Sequence, residues 1–226
     1  MTTGHGLTEQ GVADAGAFLA RLVKVEPAAV VRLRPAGPSG IALWARLPWD
    51  VLVTRTVAGS RADDATVGAR DLLTSLGGTG SLPGRRDADW RWAVPSGSGT
   101  AVESIPADTV RRLGVAAEQA ARAVAAGGLG SGRVVGERVL RDALLDHAAI
   151  VVESVSTVDR VTVPQRLVQA VVRMGFLSRA AGEGEPEVRV LVTGGFVGLA
   201  AQYGVAWHSR ASGLMVRSID RTAGHS

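Results

Sequence analysis

Three sets of side chains in this sequence could do chemistry. Asp146 and His147 are its one adjacent acid and imidazole. With His208, and Ser209 or Ser212 as nucleophile, they supply the residue types of a hydrolase. Neighbours on a helix point about 100° apart, so Asp146 cannot orient His147 directly, and no G-x-S-x-G elbow accompanies them. The second set is Arg166, Gln169 and Arg173 in VTVPQRLVQAVVRMGFL. Their i, i+3, i+7 spacing puts two guanidinium groups and an amide on one side of a helix, residue types that suit phosphates and base edges. The third is DADWRWAVP (87–95), two tryptophans around an arginine, which could stack bases or close a core. In a strand Trp90 and Trp92 share a face and Arg91 takes the other, which predicts a core role for the rings. Trp44 and Arg46 share a face and could stack on each other. Of the glycine runs, GGLGSGR follows a helix and lacks a Lys-Ser/Thr, and TGGFVG reads as a hairpin turn.

Composition bounds the classes. The chain has 226 residues, 46% hydrophobic and 20% charged, which is globular composition. It has no cysteine, which excludes disulfides, thiolate metal sites and a cysteine nucleophile. The start, MTTGHGLTEQGVADAG, carries no basic segment followed by an apolar one, so no export signal is read, and no membrane span is expected. The pI of about 10.8 reflects missing lysine more than a basic face. Only Lys24 is a lysine, and the formal net charge is +4. Residues 1–113 hold 13 basic and 11 acidic groups, and 114–226 hold 12 and 10.

The elements that must position these residues follow from periodicity. Phe18, Leu19, Leu22 and Val23 predict a helix over 12–24, stopped before Pro27. Alternation predicts strands at 29–34, 41–47 and 51–57, an antiparallel meander. A helix is expected over 64–76 with Asp63 or Asp64 as its cap, then a strand at the tryptophans. Breakers at 77–86 and 95–100 suggest a boundary. Helices are predicted at 106–126, 136–152 and 161–176, the last capped by Thr162 with Pro164 in its first turn. GGLGSG (127–132) reads as a flexible joint. Strands return at 187–209, and the end of the chain reads as a frayed tail. The expected fold is α+β, an N-terminal antiparallel meander with flanking helices and a mostly helical C-terminal half ending in a β-hairpin. The expected division is 1–92, 93–212 and a tail from 213. Residues 136–209 have the order of the later part of a winged helix, with about ten residues where a helix-turn-helix has three or four.

RLRPAGPSGIALWARLPWDVLVTRTV, DDATVGARDLL, IPADTVRRLGVAAE and VPQRLVQAVVRMGFL…VGLAAQYG together resemble uncharacterised proteins of high-GC actinobacteria, over most of residues 15–209. The resemblance implies a bacterial cytoplasm and brings no activity with it. From the residues themselves, the expected function is a non-enzymatic binding or regulatory module acting through protein–protein contact or self-association, with no cofactor and no metal. An exposed sheet edge at 40–57 is one expected surface. Nucleic-acid binding through Arg166, Gln169 and Arg173 is the alternative, and a hydrolase of unknown substrate the second.

Overall fold

The computed structural model describes residues 4–78, 80–127, 137–153, 160–178 and 186–210. Helix α1 (Glu9–Val25) starts where the Thr8 side chain accepts a hydrogen bond from the Gly11 N–H, and stops ahead of Pro27. Its apolar stripe, Phe18, Leu19 and Leu22, is fully buried. Strands β1 (Val30–Pro35), β2 (Gly40–Leu47) and β3 (Val51–Ala58) form the antiparallel meander that alternation predicts, with Leu33 opposite Leu43 and Ala45 opposite Val53. Next come β4 (Ala65–Gly68), α2 (Ala69–Leu76), a 3-10 turn at Asp87–Asp89 and β5 (Thr100–Pro106). They are followed by α3 (Ala107–Gly127), α4 (Glu137–Asp146), β6 (Ala148–Glu153), β7 (Arg160–Pro164), α5 (Gln165–Arg173), β8 (Glu187–Thr193), β9 (Phe196–Ala201) and β10 (Gly204–Ser209). The GGLGSG joint beyond Gly127 and the tail from 213 lie outside the described residues.

The structure corrects the expected fold class. The C-terminal half is not mostly helical: six of its segments are strands, and four of them complete one eight-stranded antiparallel sheet in the order β4-β1-β2-β3-β10-β9-β8-β5. The misread segments share a cause. ATVG, AAIVVE and RVTVP are short β-branched or apolar runs abutting a helix, and a run of that length fits either period. Pairing across the chain decides them: β4 lies on β1, with Val31 opposite Val67, and β6 pairs with β7. The helix expected from Val161 therefore begins at Gln165, with Pro164 in extended conformation before it, and the one expected over 64–76 begins at Ala69. The winged-helix order is not realised either, because the β6–β7 hairpin separates α4 from α5. DADWRWAVP is a turn and an extended strap, not a strand.

The helices pack on one face of the sheet. Val31, Leu43, Val53, Val190, Leu199 and Ala206 point toward them, and the Phe18 and Phe176 rings stack there with centroids 6.3 Å apart. Helix α5 is buried almost all round, against the sheet on one side and α3, α4 and the β6–β7 hairpin on the others. A smaller apolar cluster lies on the opposite face: Leu52, Leu191, Ala200 and Trp207, with Trp90 and Trp92 of the strap packed over it. The β4 edge is closed by its own chain. Asp87 Oδ1 accepts from the Thr66 N–H and Thr66 O accepts from the Arg86 N–H, both at 2.7 Å. Arg85 bonds to Asp63 and Asp87, and those hydrogen bonds hold both carboxyls below the usual carboxylate range. The segment expected as an exposed edge, 40–57, is interior. β2 is paired by β1 and β3, and β3 by β2 and β10.

Helix α1 sits hard against the end of β3: a Cβ on Gly11 would stand 1.9 Å from the Ala58 carbonyl oxygen, which is main chain. Gly11→Ala is expected to lower unfolding free energy by about 1–3 kcal/mol. Urea unfolding checks this, and a midpoint equal to the parent's would refute the close contact.

Candidate functional site

Helix α1 is amphipathic, and its outer side reads Ala17, Ala20, Arg21, Lys24 at i, i+3, i+4, i+7. The two alanines leave space and the two cations reach over it. The C-terminal end of α5 brings Arg173 to the same place, and these residues, with Val25, line an open cavity of about 540 Å³. Gly175, at φ +64°, lies against Arg21 of this cavity. A Cβ there would fall 2.3 Å from Arg21 Cζ, so the missing side chain gives the Arg21 guanidinium its resting place. The Arg173 guanidinium lies over the Trp49 ring, 5.5 Å from its centroid, which holds the cation without neutralising it. Lys24 and Arg173 each occupy the last turn of their helix, where the helix C-terminus favours positive charge.

Most described arginines pair with a carboxylate, and this cluster gathers around one cavity three cations that do not. Arg32 and Arg34 share Asp64, Arg55 pairs with Asp14, and Arg166 with Asp146. Among the described residues no carboxylate pairs with Arg21, Lys24 or Arg173. Three uncompensated cations around one cavity, on the helix side of the sheet, make a surface that attracts anions.

The three residues that sequence spacing placed on one helix side are not one solvent-facing row. Arg166 is 8% exposed. It donates from Nη1 to the Trp49 carbonyl at 2.7 Å and pairs through Nη2 with Asp146, while the Trp49 indole N–H donates to the Arg166 carbonyl at 3.3 Å. Gln169 donates to the Gly114 carbonyl of α3 at 3.1 Å. Only Arg173 is exposed, and its neighbours are Arg21 and Lys24 of α1. Those two had a signal in the sequence, the Ala-Ala-Arg-Lys spacing opposite the Phe18 stripe. What no local pattern could supply was that α1 ends beside α5.

Of the hydrolase set, Asp146 is committed to Arg166, and His147 is exposed and contributes its carbonyl to the Gln165 N–H. His208 Nδ1 lies 3.0 Å from the Asp50 carbonyl oxygen, the geometry of an Nδ1–H donor. Its orienting group is therefore a peptide carbonyl. Ser209 is exposed beside it and Ser212 lies outside the described residues. Among the described residues no cluster of His, Asp or Glu could hold a metal ion, and no helix is long and apolar enough to cross a membrane. TGGFVG is a hairpin turn between β8 and β9, with Gly194 at φ +48°.

The tryptophans of the strap are half-buried and meet edge to face, centroids 5.2 Å apart, with the Trp90 N–H donating to the Trp92 carbonyl. Arg32 lies over Trp90 and Arg46 over Trp92, so Arg46 stacks on the strap and not on Trp44.

Burial and the nearby Arg166 charge lower the His208 pKa, with Asp146 opposing, and burial lowers that of His5. A histidine depressed in the folded state leaves stability intact above its unfolded value, near 6.5. Below that pH the unfolded chain takes up the proton first and stability falls. The unfolding midpoint is thus expected to drop between about pH 7 and pH 5, with a shallower slope in His208→Gln. An unchanged slope in that variant would show that His208 takes no part.

No curated protein matches the sequence. Solved structures do match in fold. The DNA polymerase III subunit beta from Pseudomonas aeruginosa aligns over 95% of this chain and 67% of its own, at 14% identity and a TM-score of 0.54. A putative DNA polymerase III beta subunit from Eubacterium rectale aligns over 90% and 63%, at 10% identity and 0.53. A DNA polymerase sliding clamp from Caulobacter crescentus aligns over 89% and 64%, at 14% identity and 0.53. The chain thus spans about two thirds of the length of these proteins, and at such identity the similarity is one of fold. Two family models match in tandem, Domain of unknown function (DUF8010) over residues 7–93 and Domain of unknown function (DUF8185) over residues 94–213. The second accounts for more than half of the sequence, and the chain belongs to the family it describes, Domain of unknown function (DUF8185).

Proposed function

We propose that this chain is a non-enzymatic interaction module that associates with DNA along the helix side of its sheet. The observation that carries the reading is the cluster Arg21, Lys24 and Arg173, three cations without a carboxylate around one cavity. The shared fold with DNA polymerase sliding clamps supports it, since those proteins are named for work on DNA. Within the nucleic-acid reading, Arg173 keeps a contact role. Arg166 and Gln169 act one step back, by fixing α5 against the β2–β3 turn and against α3. The contact is with phosphate rather than base edges, because water-exposed cations on an open surface read charge and not sequence.

The chemistry predicts weak, salt-sensitive and sequence-independent binding. Neutralising three phosphates gives a slope of log affinity against log salt of about −3, roughly 0.9 per cation. The measurement is fluorescence anisotropy with a short duplex DNA between about 50 and 200 mM salt. The variant with Arg21, Lys24 and Arg173 all changed to alanine should lose most of that slope. Arg166→Ala, by contrast, should lower thermal stability. No binding at the lowest salt, or the parent's slope in the triple variant, would exclude this surface.

A further inference from the structure

The two ends of the eight-stranded sheet are treated differently. At one end β4 is four residues long and closed by residues 85–87, as described above. At the other, β5 has seven residues, pairs with β8 along one side, and is covered by no strand on the other among the described residues. Thr100, Ala101, Glu103, Ser104 and Pro106 are all exposed. The Ser104 N–H points away from β8: it donates to the carboxylate of its own neighbour, Glu103, at 2.9 Å. That local bond is exposed, so exchanging it for a partner's carbonyl costs little. The Ser104 hydroxyl donates to Glu187 of β8, also at 2.9 Å.

Charge says what fits this edge. On a chain where most described carboxylates are tied to arginines, neither Glu103 nor Glu187 has an ion-pair partner among the described residues. Glu103, opposite Val190, stands on the helix face of this edge, and Glu187 stands on the other face with Arg189 two residues along β8, so each face of the edge carries one carboxylate. A second copy presenting its own β5 would bring the same two carboxylates against them, and like charges across a strand pair are destabilising. A second copy presenting β4 would meet an edge already occupied by its own 85–87 segment.

We propose that β5 is a docking edge for an extended, basic segment of a partner protein, added as a ninth strand. A carbonyl of the incoming segment takes the Ser104 N–H, which releases the Glu103 carboxylate to pair with a lysine or arginine of the partner. Main-chain bonds supply the attachment and the two carboxylates the choice of partner. This edge does not include the Arg21, Lys24 and Arg173 cluster, so it stands or falls separately from DNA association.

The test uses the full chain and two blocked, fluorescein-labelled heptapeptides, one alternating lysine and valine and one alternating glutamate and valine. Anisotropy should show binding of the first only. Glu103→Gln with Glu187→Gln should weaken it about tenfold, the scale of one lost charge-assisted contact of about 1.4 kcal/mol. Ser104→Pro removes the outward N–H and leaves the β5–β8 ladder intact, so it should abolish binding with the circular dichroism spectrum unchanged. Should that variant fail to fold, amide exchange on the parent decides, since the Ser104 N–H must gain protection when the lysine peptide is added. Equal binding of both peptides, binding of neither, or undiminished binding to folded Ser104→Pro overturns the proposal. So does a parent dimer in light scattering that Ser104→Pro dissolves, which would assign the edge to a second copy.

Discussion

Strand β10, the last of the sheet, returns from the far end of the sequence to lie against β3, with Val205 opposite Thr54, Ala206 opposite Val53 and Trp207 opposite Leu52. This antiparallel pairing turns two four-stranded groups into one sheet. It gives the helices a single continuous apolar face to cover, and it draws the β2–β3 turn up against α5. Trp49 and Arg166 then close the seam with reciprocal main-chain bonds, the indole of one on the carbonyl of the other and the guanidinium returning. A buried guanidinium is tolerated here because Trp49 and Asp146 both meet it, although its Nε remains without a partner. The interlock also fixes Arg173, whose ring contact is to the same Trp49.

Arginine does two kinds of work in this protein. Along β1 and the segments flanking β4 it ties down aspartates, closes a sheet edge and lies over the strap tryptophans. Individually such exposed pairs contribute little. Their geometric effect is larger, because an edge whose N–H and C=O groups are already engaged cannot recruit another strand. At the α1–α5 junction the same residue type stands without counter-ions. The distinction between structural and available charge does not follow from a net charge of +4. It follows from which carboxylates the fold brings within reach.

The strap at 87–95 shows how tertiary context reassigns a strong local signal. Two tryptophans two residues apart read as a strand with one apolar face. The rings do serve an apolar cluster, but from a chain that crosses the outer face of the sheet without joining it. The arginines that meet them, Arg32 and Arg46, come from β1 and β2, more than forty positions earlier in the sequence.

What the sequence determined by itself was local and periodic. The α1 stripe, the β1–β3 meander and the Gly194–Gly195 turn were legible because each depends on neighbours within a few residues, where the helical period of 3.6 and the strand period of 2 give different patterns. Only the tertiary structure decided that ATVG, AAIVVE and RVTVP are strands, since a short apolar run takes its conformation from the partner that satisfies its main-chain hydrogen bonds. It also decided which cations are spent internally. Arg166 and Arg173 sit seven residues apart on one helix with the same chemistry. One is buried at the seam and the other faces water, because burial is set by what packs against a helix, and that information lies in β2, β3 and α1 rather than in α5 itself.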